Sequence, residues 1–192
     1  MERLAKAAAC KSGPSTRHRP REPSGKVIVN PLSDKSLLRQ QVLARLAEDL
    51  LHVEQAARAA HETATHEENI AENKYDTLGL EAAYLASGQA RRAAAIRQVM
   101  SDWRQFHPGA YDASKGIALG ALVCLVDADE RQQLLFLGLP GGSMALASGD
   151  QVVQVVSIDA PLGQAMLGKF EGDEVSIQVG ATRQQFEVLW AR

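Results

Sequence analysis

Two long segments with a seven-residue apolar repeat constrain the fold of this chain more than any other feature of its sequence. In the first segment, apolar residues follow the 3-4-3-4 spacing of a coiled-coil seam: Leu43, Leu46, Leu50, Val53, Ala57, Ala60 and Ala64. The second segment runs from about Thr77 to Phe106, and its predicted seam is Leu78, Ala82, Leu85, Ile96, Val99, Trp103 and Phe106. Gln89 and Arg92 interrupt this second seam in its middle. Because neither segment contains proline, each is predicted to form one continuous helix.

The two predicted helices have similar lengths and are joined by a short polar stretch, which favours an antiparallel helical hairpin over residues 34–107. Ser33 and Asp34 are candidate N-cap residues of the first helix, and His107-Pro108-Gly109 ends the second. At about 1.5 Å of rise per residue, about 30 residues make a rod about 45 Å long. Two helices alone have little core, so we expect the open end of the rod to be anchored on another part of the chain.

Beyond Ser114 the sequence changes to short runs rich in Val, Ile and Leu, separated by turns. The predicted strands are Leu119–Val126, Gln133–Leu137, Gln151–Ile158, Glu174–Val179 and Gln184–Leu189, with one helix from Pro161 to Lys169. Residues 138–142, Gly-Leu-Pro-Gly-Gly, are interpreted as a hairpin turn rather than a phosphate-binding loop, because no Lys-Ser/Thr follows them. We therefore predict an α+β protein, in which residues 114–192 form a small antiparallel β domain with one short helix.

The first 33 residues are rich in Ser, Pro, Gly and Arg and are predicted to be a disordered basic tail. Residues 1–30 carry a net charge of +5, and the remainder of the chain carries −7. A body this acidic gives no electrostatic reason for tight binding to bare DNA. Two cysteines cannot make a disulfide framework, and no run of about 18 apolar residues is present, so a cytoplasmic location is expected.

The predicted bend between the two helices is strongly acidic. It contains four acids and three further polar or aromatic residues: Glu67, Glu68, Glu72 and Asp76, with Asn69, Asn73 and Tyr75. One interpretation is a solvated loop in which Asp76 caps the positive N-terminal end of the second helix. The other is that carboxylates at the end of a rod are delivered into a distant site, where they hold a divalent cation. The residues alone leave both interpretations open.

A second motif, residues 159–175, reads Asp-Ala-Pro-Leu-Gly-Gln-Ala-Met-Leu-Gly-Lys-Phe-Glu-Gly-Asp-Glu-Val, with Leu162, Met166 and Leu167 predicted to face inward. It closely resembles the Ser-Pro-[Ile/Leu]-Gly-x-Ala-Leu-[Ile/Leu]-Gly-[Lys/Arg]-x-x-Gly-Asp-x-Val signature of the bacterial GreA/GreB family of transcript cleavage and elongation factors. Glu72-Asn73 and Tyr75 resemble the family's Glu-Asn-x-x-Tyr tip, and residues 84–92 resemble its Phe-Ile-x-Gly-Arg segment. The resemblance covers about residues 35–192 in the same order.

The resemblance implies an FKBP-like C-terminal domain that docks on bacterial RNA polymerase, at the rim of its secondary channel, through Asp159, Ala160, Pro161 and Leu162. It implies that the coiled coil passes down this channel and that tip acids, Glu68 and Glu72 in this chain, share a Mg²⁺ ion with the polymerase. The polymerase itself would then hydrolyse backtracked RNA. A factor of this kind has no cofactor, catalytic residues or enzymatic activity of its own, contacts nucleic acid only indirectly, and does not bind a membrane.

The tip of this chain departs from the family pattern, which has an Asp three residues before the Glu. Asn69 takes that position here, and an amide cannot supply the second negative charge, although Glu68 could substitute for it. The spacing from Glu72 to Tyr75 is also one residue shorter than in the family. The resemblance therefore supports polymerase binding better than cleavage stimulation, and a channel-binding regulator without cleavage stimulation is the alternative.

Two further interpretations come from other functional classes. An FKBP-like prolyl isomerase would need a proline pocket lined by aromatic residues, for which the C-terminal part offers Phe136, Phe170, Phe186 and Trp190. A non-enzymatic coiled-coil adaptor for another protein would need none of the tip acids.

Overall fold

The structure is a computed structural model, in which residues 34–66 and 77–192 are described. Two long helices come first, α1 (Lys35–Thr65) and α2 (Leu78–Gln105), and they pack against each other. Six strands and a short helix follow: β1 (Leu122–Asp127), β2 (Gln132–Gly138), β3 (Ala145–Ser148), β4 (Gln151–Ser157), α3 (Pro161–Met166), β5 (Glu174–Val179) and β6 (Thr182–Ala191). The predicted order, a helical hairpin and then a small α+β region, is confirmed.

Helix α1 begins where its capping residue predicts. The Asp34 carboxylate accepts hydrogen bonds from the Ser36 backbone N–H at 2.9 Å and from the Ser36 hydroxyl at 2.5 Å. These bonds stabilise the charged carboxylate and hold the pKa of Asp34 below its usual range. At the same end of the hairpin, Arg39 Nη1 donates to the carbonyls of Arg104 and Phe106, at the C-terminus of α2, at 3.1 and 3.0 Å. Both termini that lie next to the sheet are therefore satisfied by side chains.

The predicted seam of α1 is confirmed, and the predicted seam of α2 is wrong in its middle. All seven predicted seam positions of α1 are buried or half-buried. In α2 the side chains that are buried or half-buried at heptad spacing are Ala82, Ala86, Gln89, Ala93, Ile96, Met100 and Trp103. Leu85 is 55% exposed, and Gln89 continues the seam instead of interrupting it. Alanines at the contact allow the helices to approach closely, so the repeat continues through small residues rather than through the bulkier Leu85.

The strand order is β3-β4-β2-β1-β6-β5, and all neighbouring pairs are antiparallel except β2 and β4, which are parallel. The sheet is therefore mixed, whereas the sequence predicted a purely antiparallel one. The reason is β3, an edge strand of four residues whose Ala-Leu-Ala-Ser sequence carries no strand signal. Residues 139–144 cross to this edge strand, so the chain returns on β4 in the direction of β2. The segment 138–142 is thus a crossover loop and not the predicted hairpin turn.

Both faces of the sheet are covered. On one face, strand residues that include Leu122, Phe136 and Val153 pack against Val42, Met100 and Trp103 of the two helices, among others. On the opposite face, strand residues pack against α3, and the buried core there includes Val123, Leu125, Leu137, Met166 and Val188. Two buried faces explain the unbroken apolar run of β1. The rod is anchored on the sheet at its open end, as predicted. In the described ranges, no helix is long and apolar enough to cross a membrane.

Candidate functional site

The four predicted docking residues span the turn after β4 and the first two residues of α3. Asp159 and Pro161 are exposed, whereas Ala160 and Leu162 are half-buried and pack on the core around α3. Pro161 occupies the first turn of the helix, where a missing backbone N–H leaves no hydrogen bond unmade. The backbone N–H of Asp159 donates to the Ser157 hydroxyl at 3.2 Å, and that of Ala160 donates to the Ser157 carbonyl at 3.0 Å. The turn therefore presents one carboxylate and one proline on a fixed backbone.

Two glycines of this motif are required for different reasons, Gly163 by close packing and Gly168 by its backbone conformation. A Cβ placed on Gly163 would collide with the Ser157 carbonyl oxygen and lie 3.0 Å from its carbon, so only glycine lets α3 come so near the end of β4. Gly168 ends the helical stretch with a φ of +71°, and its N–H donates to the Ile117 carbonyl at 2.8 Å. The Ile117 N–H donates in turn to the Lys169 carbonyl at 2.8 Å. These two bonds tie the motif to the segment that precedes β1.

Two exposed apolar side chains of the motif were missed by sequence reasoning. Leu167, which the sequence predicted to face inward, is 41% exposed, and Phe170 is 43% exposed. The prediction for Leu167 was wrong because α3 ends at Met166, and the extended backbone of Leu167 turns its side chain away from the helix face. Met166 itself is fully buried, as predicted, and Leu162 is half-buried. The motif thus exposes apolar surface at Pro161, Leu167 and Phe170.

The acidic turn of the motif is fixed to the last strand. The Phe170 N–H donates to an Asp173 carboxylate oxygen at 2.8 Å, and the Val188 N–H donates to the Asp173 carbonyl at 3.0 Å. Gly172, with a φ of +86°, donates its N–H to the Val188 carbonyl at 2.8 Å. The Gly172-Asp173 pair of the motif therefore fixes the turn after α3 to strand β6.

The predicted tip and the predicted basic tail lie outside the described residues. All seven predicted tip residues fall between His66 and Thr77, in the segment 67–76, and the tail falls in residues 1–33. Beside the tip segment, the Thr77 hydroxyl donates to the Glu81 carboxylate at 2.9 Å at the beginning of α2. Across the two described ranges, no group of three or more His, Cys, Asp or Glu side chains is close enough together to hold a metal ion. The roles of the tip residues stay predictions.

Exposed side chains also mark the far part of α2, and the sequence did not predict their exposure. Tyr84 is 71% exposed, and Leu80 and Leu85 are more than half exposed. Arg91 and Arg92 follow in the same helix and are also exposed. All of these except Leu80 lie in residues 84–92, the segment whose sequence resembles the region after the GreA/GreB tip.

The aromatic residues required for a proline pocket are used elsewhere. Phe136 and Phe186 are buried in the two cores, and Trp190 packs beside the core under the helices with the Arg192 guanidinium 5.1 Å from its ring centre. Phe170 alone of the four is exposed. Since the rings lie in different parts of the fold, these four residues do not line a common proline pocket, which argues against the isomerase interpretation.

Residues 112–191 match a family model described as transcription elongation factor GreA/GreB, C-terminal. The transcription elongation factor GreA of Desulfovibrio desulfuricans is 28% identical over 152 residues, which are 78% of this chain and 85% of that protein. The transcription elongation factor GreA of Alkalilimnicola ehrlichii is 27% identical over 97 residues, which are 50% of this chain. The latter match spans only 58% of that relative's length.

Solved structures with some similarity include GreA factor homolog 1 of Thermus thermophilus. It has 20% sequence identity and a TM-score of 0.34, and the match covers 78% of this chain and 94% of that one. A GreA/GreB factor from Nitrosomonas europaea has 17% identity and a TM-score of 0.33, with 50% of this chain and 78% of that one covered. Both TM-scores are low.

Proposed function

We propose that this chain, as a divergent member of the GreA/GreB family of transcription elongation factors, binds bacterial RNA polymerase. Its helical hairpin would insert into the polymerase's secondary channel. The observation that carries the proposal is the match of residues 112–191 to the family's C-terminal model. That part of the chain contains the motif in which Asp159 and Pro161 are exposed on a fixed turn. The protein would act in the cytoplasm, as a partner of the polymerase and not as an enzyme.

The C-terminal domain would dock through residues 159–162. Asp159 and Pro161 would contact the polymerase, and Ala160 and Leu162 would hold the turn in place from below. A turn whose backbone is already fixed by Ser157 loses little conformational entropy on binding, which favours its use as a docking element.

The dimensions of the hairpin support insertion into a channel. Helix α1 has 31 residues and α2 has 28, and the two pack side by side from a base on the sheet. At about 1.5 Å per residue and about 10 Å per helix, this makes a rod about 45 Å long and about 20 Å wide. A domain docked outside the channel could therefore act on a site about 45 Å away.

The tip acids would act at the polymerase active site. Carboxylate oxygens are ligands that Mg²⁺ prefers, so Glu68 and Glu72 have the chemistry to complete the coordination of an ion held by the polymerase. When bound, such an ion supplies an activated water for phosphodiester hydrolysis. The contribution of this chain would be the ligand oxygens and their placement, with Asn69, Asn73 and Tyr75 shaping the tip.

A second candidate function is favoured by Asn69. With an amide where the family has a carboxylate, the tip carries less negative charge for the ion, and the inserted hairpin would then regulate elongation without stimulating cleavage.

A purified, backtracked elongation complex tests both candidates. Release of short 3′-terminal RNA with the parent protein but not with Glu72→Ala would establish cleavage stimulation. Intact RNA with an altered elongation rate, lost in Glu72→Ala, would establish the second candidate. Pro161→Asp is expected to weaken co-elution with polymerase, and its matched control is Gln164→Asp at an exposed position of the same helix. Glu62→Ala, an exposed acid of α1, is the control for Glu72→Ala.

Two results would contradict the proposal. One is a parent protein that does not co-elute with polymerase. The other is an effect on RNA that survives neutralisation of all the tip acids, which is the result expected for a coiled-coil adaptor.

A further inference from the structure

The two helices meet the sheet through one tightly enclosed aromatic ring. Trp103, in the last turn of α2, is fully buried and contacts two other rings. Its centroid lies 5.7 Å from that of Phe106, edge to face, and 6.4 Å from that of Phe136. Its indole N–H has no hydrogen-bond partner among the described residues, so the ring is held by its shape and not by a polar contact.

The pocket for this ring is built from glycines at the end of β2 and in the loop that follows it. A Cβ placed on Gly138 would lie 2.6 Å from Trp103 Cη2, and one on Gly142 would lie 2.6 Å from Cε2. Neither glycine has a positive φ, so glycine is required there by the close approach of the ring and not by backbone conformation. Gly141 has a φ of +77°, and a Cβ on it would lie 2.5 Å from Val99 Cγ2 of the same helix. Sequence reasoning had assigned these glycines to a turn alone.

Hydrogen bonds around this pocket strengthen the joint between the hairpin and the sheet. Lys35 Nζ donates to the Gly109 carbonyl at 2.9 Å, and Gln41 Nε2 donates to the Ala147 carbonyl at 3.3 Å. With the two bonds from Arg39 to the end of α2, the first turns of α1 are tied to α2, to the following linker and to the edge strand β3. The angle between hairpin and sheet is therefore over-determined by packing and by hydrogen bonds.

We propose that Trp103, seated against Gly138 and Gly142, is a positioning residue that sets the angle at which the hairpin leaves the C-terminal domain. The proposal rests on the proposed function for its purpose, since a docked domain delivers the tip only as accurately as this joint is held. Small rotations at Trp103 are amplified along the helix, because the other end of α2 is about 38 Å away. A rotation of about 10° displaces that end by about 7 Å. Catalytic placement tolerates errors of only about 1 Å.

The test measures the angle in the free, full-length protein. Spin labels are placed on Ser87→Cys in α2 and Gln185→Cys in β6, both exposed, in a Cys10→Ser background. Cys124 remains unlabelled because it is buried, and burial raises the pKa of its thiol. The parent should give one narrow distance distribution. Gly142→Ala should shift or broaden it by about 4 Å, the effect of about 10° over the 24 Å or so of helix between Trp103 and Ser87.

Two variants separate positioning from general damage. Gly109→Ala, in the linker, has open space around its Cβ and keeps the backbone carbonyl that accepts from Lys35, so it should leave the distribution unchanged. Gly142→Ala combined with Trp103→Phe should return towards the parent distribution, because the smaller ring makes room for the added methyl group. If Gly142→Ala does not fold, Trp103→Phe alone should broaden the distribution. A folded Gly142→Ala protein with the parent distribution, or a double variant no closer to the parent, would overturn the proposal.

A second readout concerns the purpose of the joint. Gly142→Ala should bind polymerase within about twofold of the parent but lose at least about tenfold of its effect on RNA. Equal loss of both would overturn the positioning role. If the parent does not bind polymerase, the proposed function fails, while the distance measurements still decide whether Trp103 sets the angle.

Discussion

The half of the hairpin next to the sheet and the half away from it are built from different side chains. The near half buries Leu38, Val42, Leu46, Met100 and Trp103 against the strands. In the far half, the side chains between the helices are mostly alanines, among them Ala60, Ala82, Ala86 and Ala93. Apolar burial stabilises roughly in proportion to area, so most of the packing energy lies at the base of the rod.

This difference fits the proposed insertion of the hairpin into a channel, which needs a firmly attached base and a narrow far half. Large side chains at the base keep the hairpin on the sheet, whereas alanines let the helices approach and keep the rod narrow along the part that would enter the channel. The cost is that the far half depends on helix propensity and on the stability of the base. Alanine is the best helix former, which offsets part of this cost.

The largest effect is expected at the base. Trp103→Ala should lower the free energy of unfolding by about 3–5 kcal/mol, because it empties a fully enclosed site. Ala82→Gly in the far half should cost only about 1 kcal/mol, mainly through helix propensity. Urea unfolding followed by circular dichroism measures both. Equal losses in the two variants would show that the halves do not differ in packing energy.

The next effect tests the close approach in the far half. Ala60→Leu should lower the free energy of unfolding by about 1–3 kcal/mol, since Ala60 is buried between the helices and the added volume must displace its neighbours. Ala59→Leu, at the exposed neighbouring position, should change it by no more than about 0.5 kcal/mol. If Ala60→Leu is neutral or stabilising, the far half is loosely packed and the alanine seam does not set its width.

The same contrast explains which parts of the fold the sequence could predict. The seam of α1 was predictable because leucine and valine mark its repeat, and Asp34 was predictable as a cap because an acid stands before the helix. The middle of α2 was not, because alanine occupies both seam and surface positions there. Apolarity then pointed to Leu85, and the half-buried Gln89 looked like an interruption.

In the C-terminal part, local sequence patterns do not predict which distant strands pair or where α3 ends. The parallel pairing of β2 and β4 depends on β3, whose four residues are individually poor strand formers. The exposure of Leu167 depends on the exact end of α3. The turn that contains residues 159–162 was predictable as a segment from its motif, but the pocket for Trp103 was not, because a ring and the glycines it contacts are distant in sequence.

A smaller effect is expected from the ion pair where the two halves meet. Arg97 Nη2 lies 2.6 Å from Glu54 Oε1 across the helices, with side chains 56% and 27% exposed. Glu54→Gln should lower the free energy of unfolding by about 0.2–1 kcal/mol, and this loss should shrink at high salt. Glu48→Gln, which removes a more exposed partner of Arg45 within α1, should have less effect. A larger loss in Glu48→Gln would contradict the importance of the contact between helices.

The smallest expected effect concerns pH at the base of α1. Hydrogen bonds from Ser36 depress the pKa of Asp34 in the folded protein, so the carboxylate stabilises the fold above the unfolded-state pKa of about 3.9. This contribution is lost as the pH falls through the lower folded-state pKa. Asp34→Asn keeps a capping acceptor but cannot ionise, so its unfolding midpoint should fall less steeply than the parent's between about pH 5 and pH 3. Parallel pH curves for the two proteins would show that the cap acts through its hydrogen bond alone, and the base would then owe its stability to packing and not to charge.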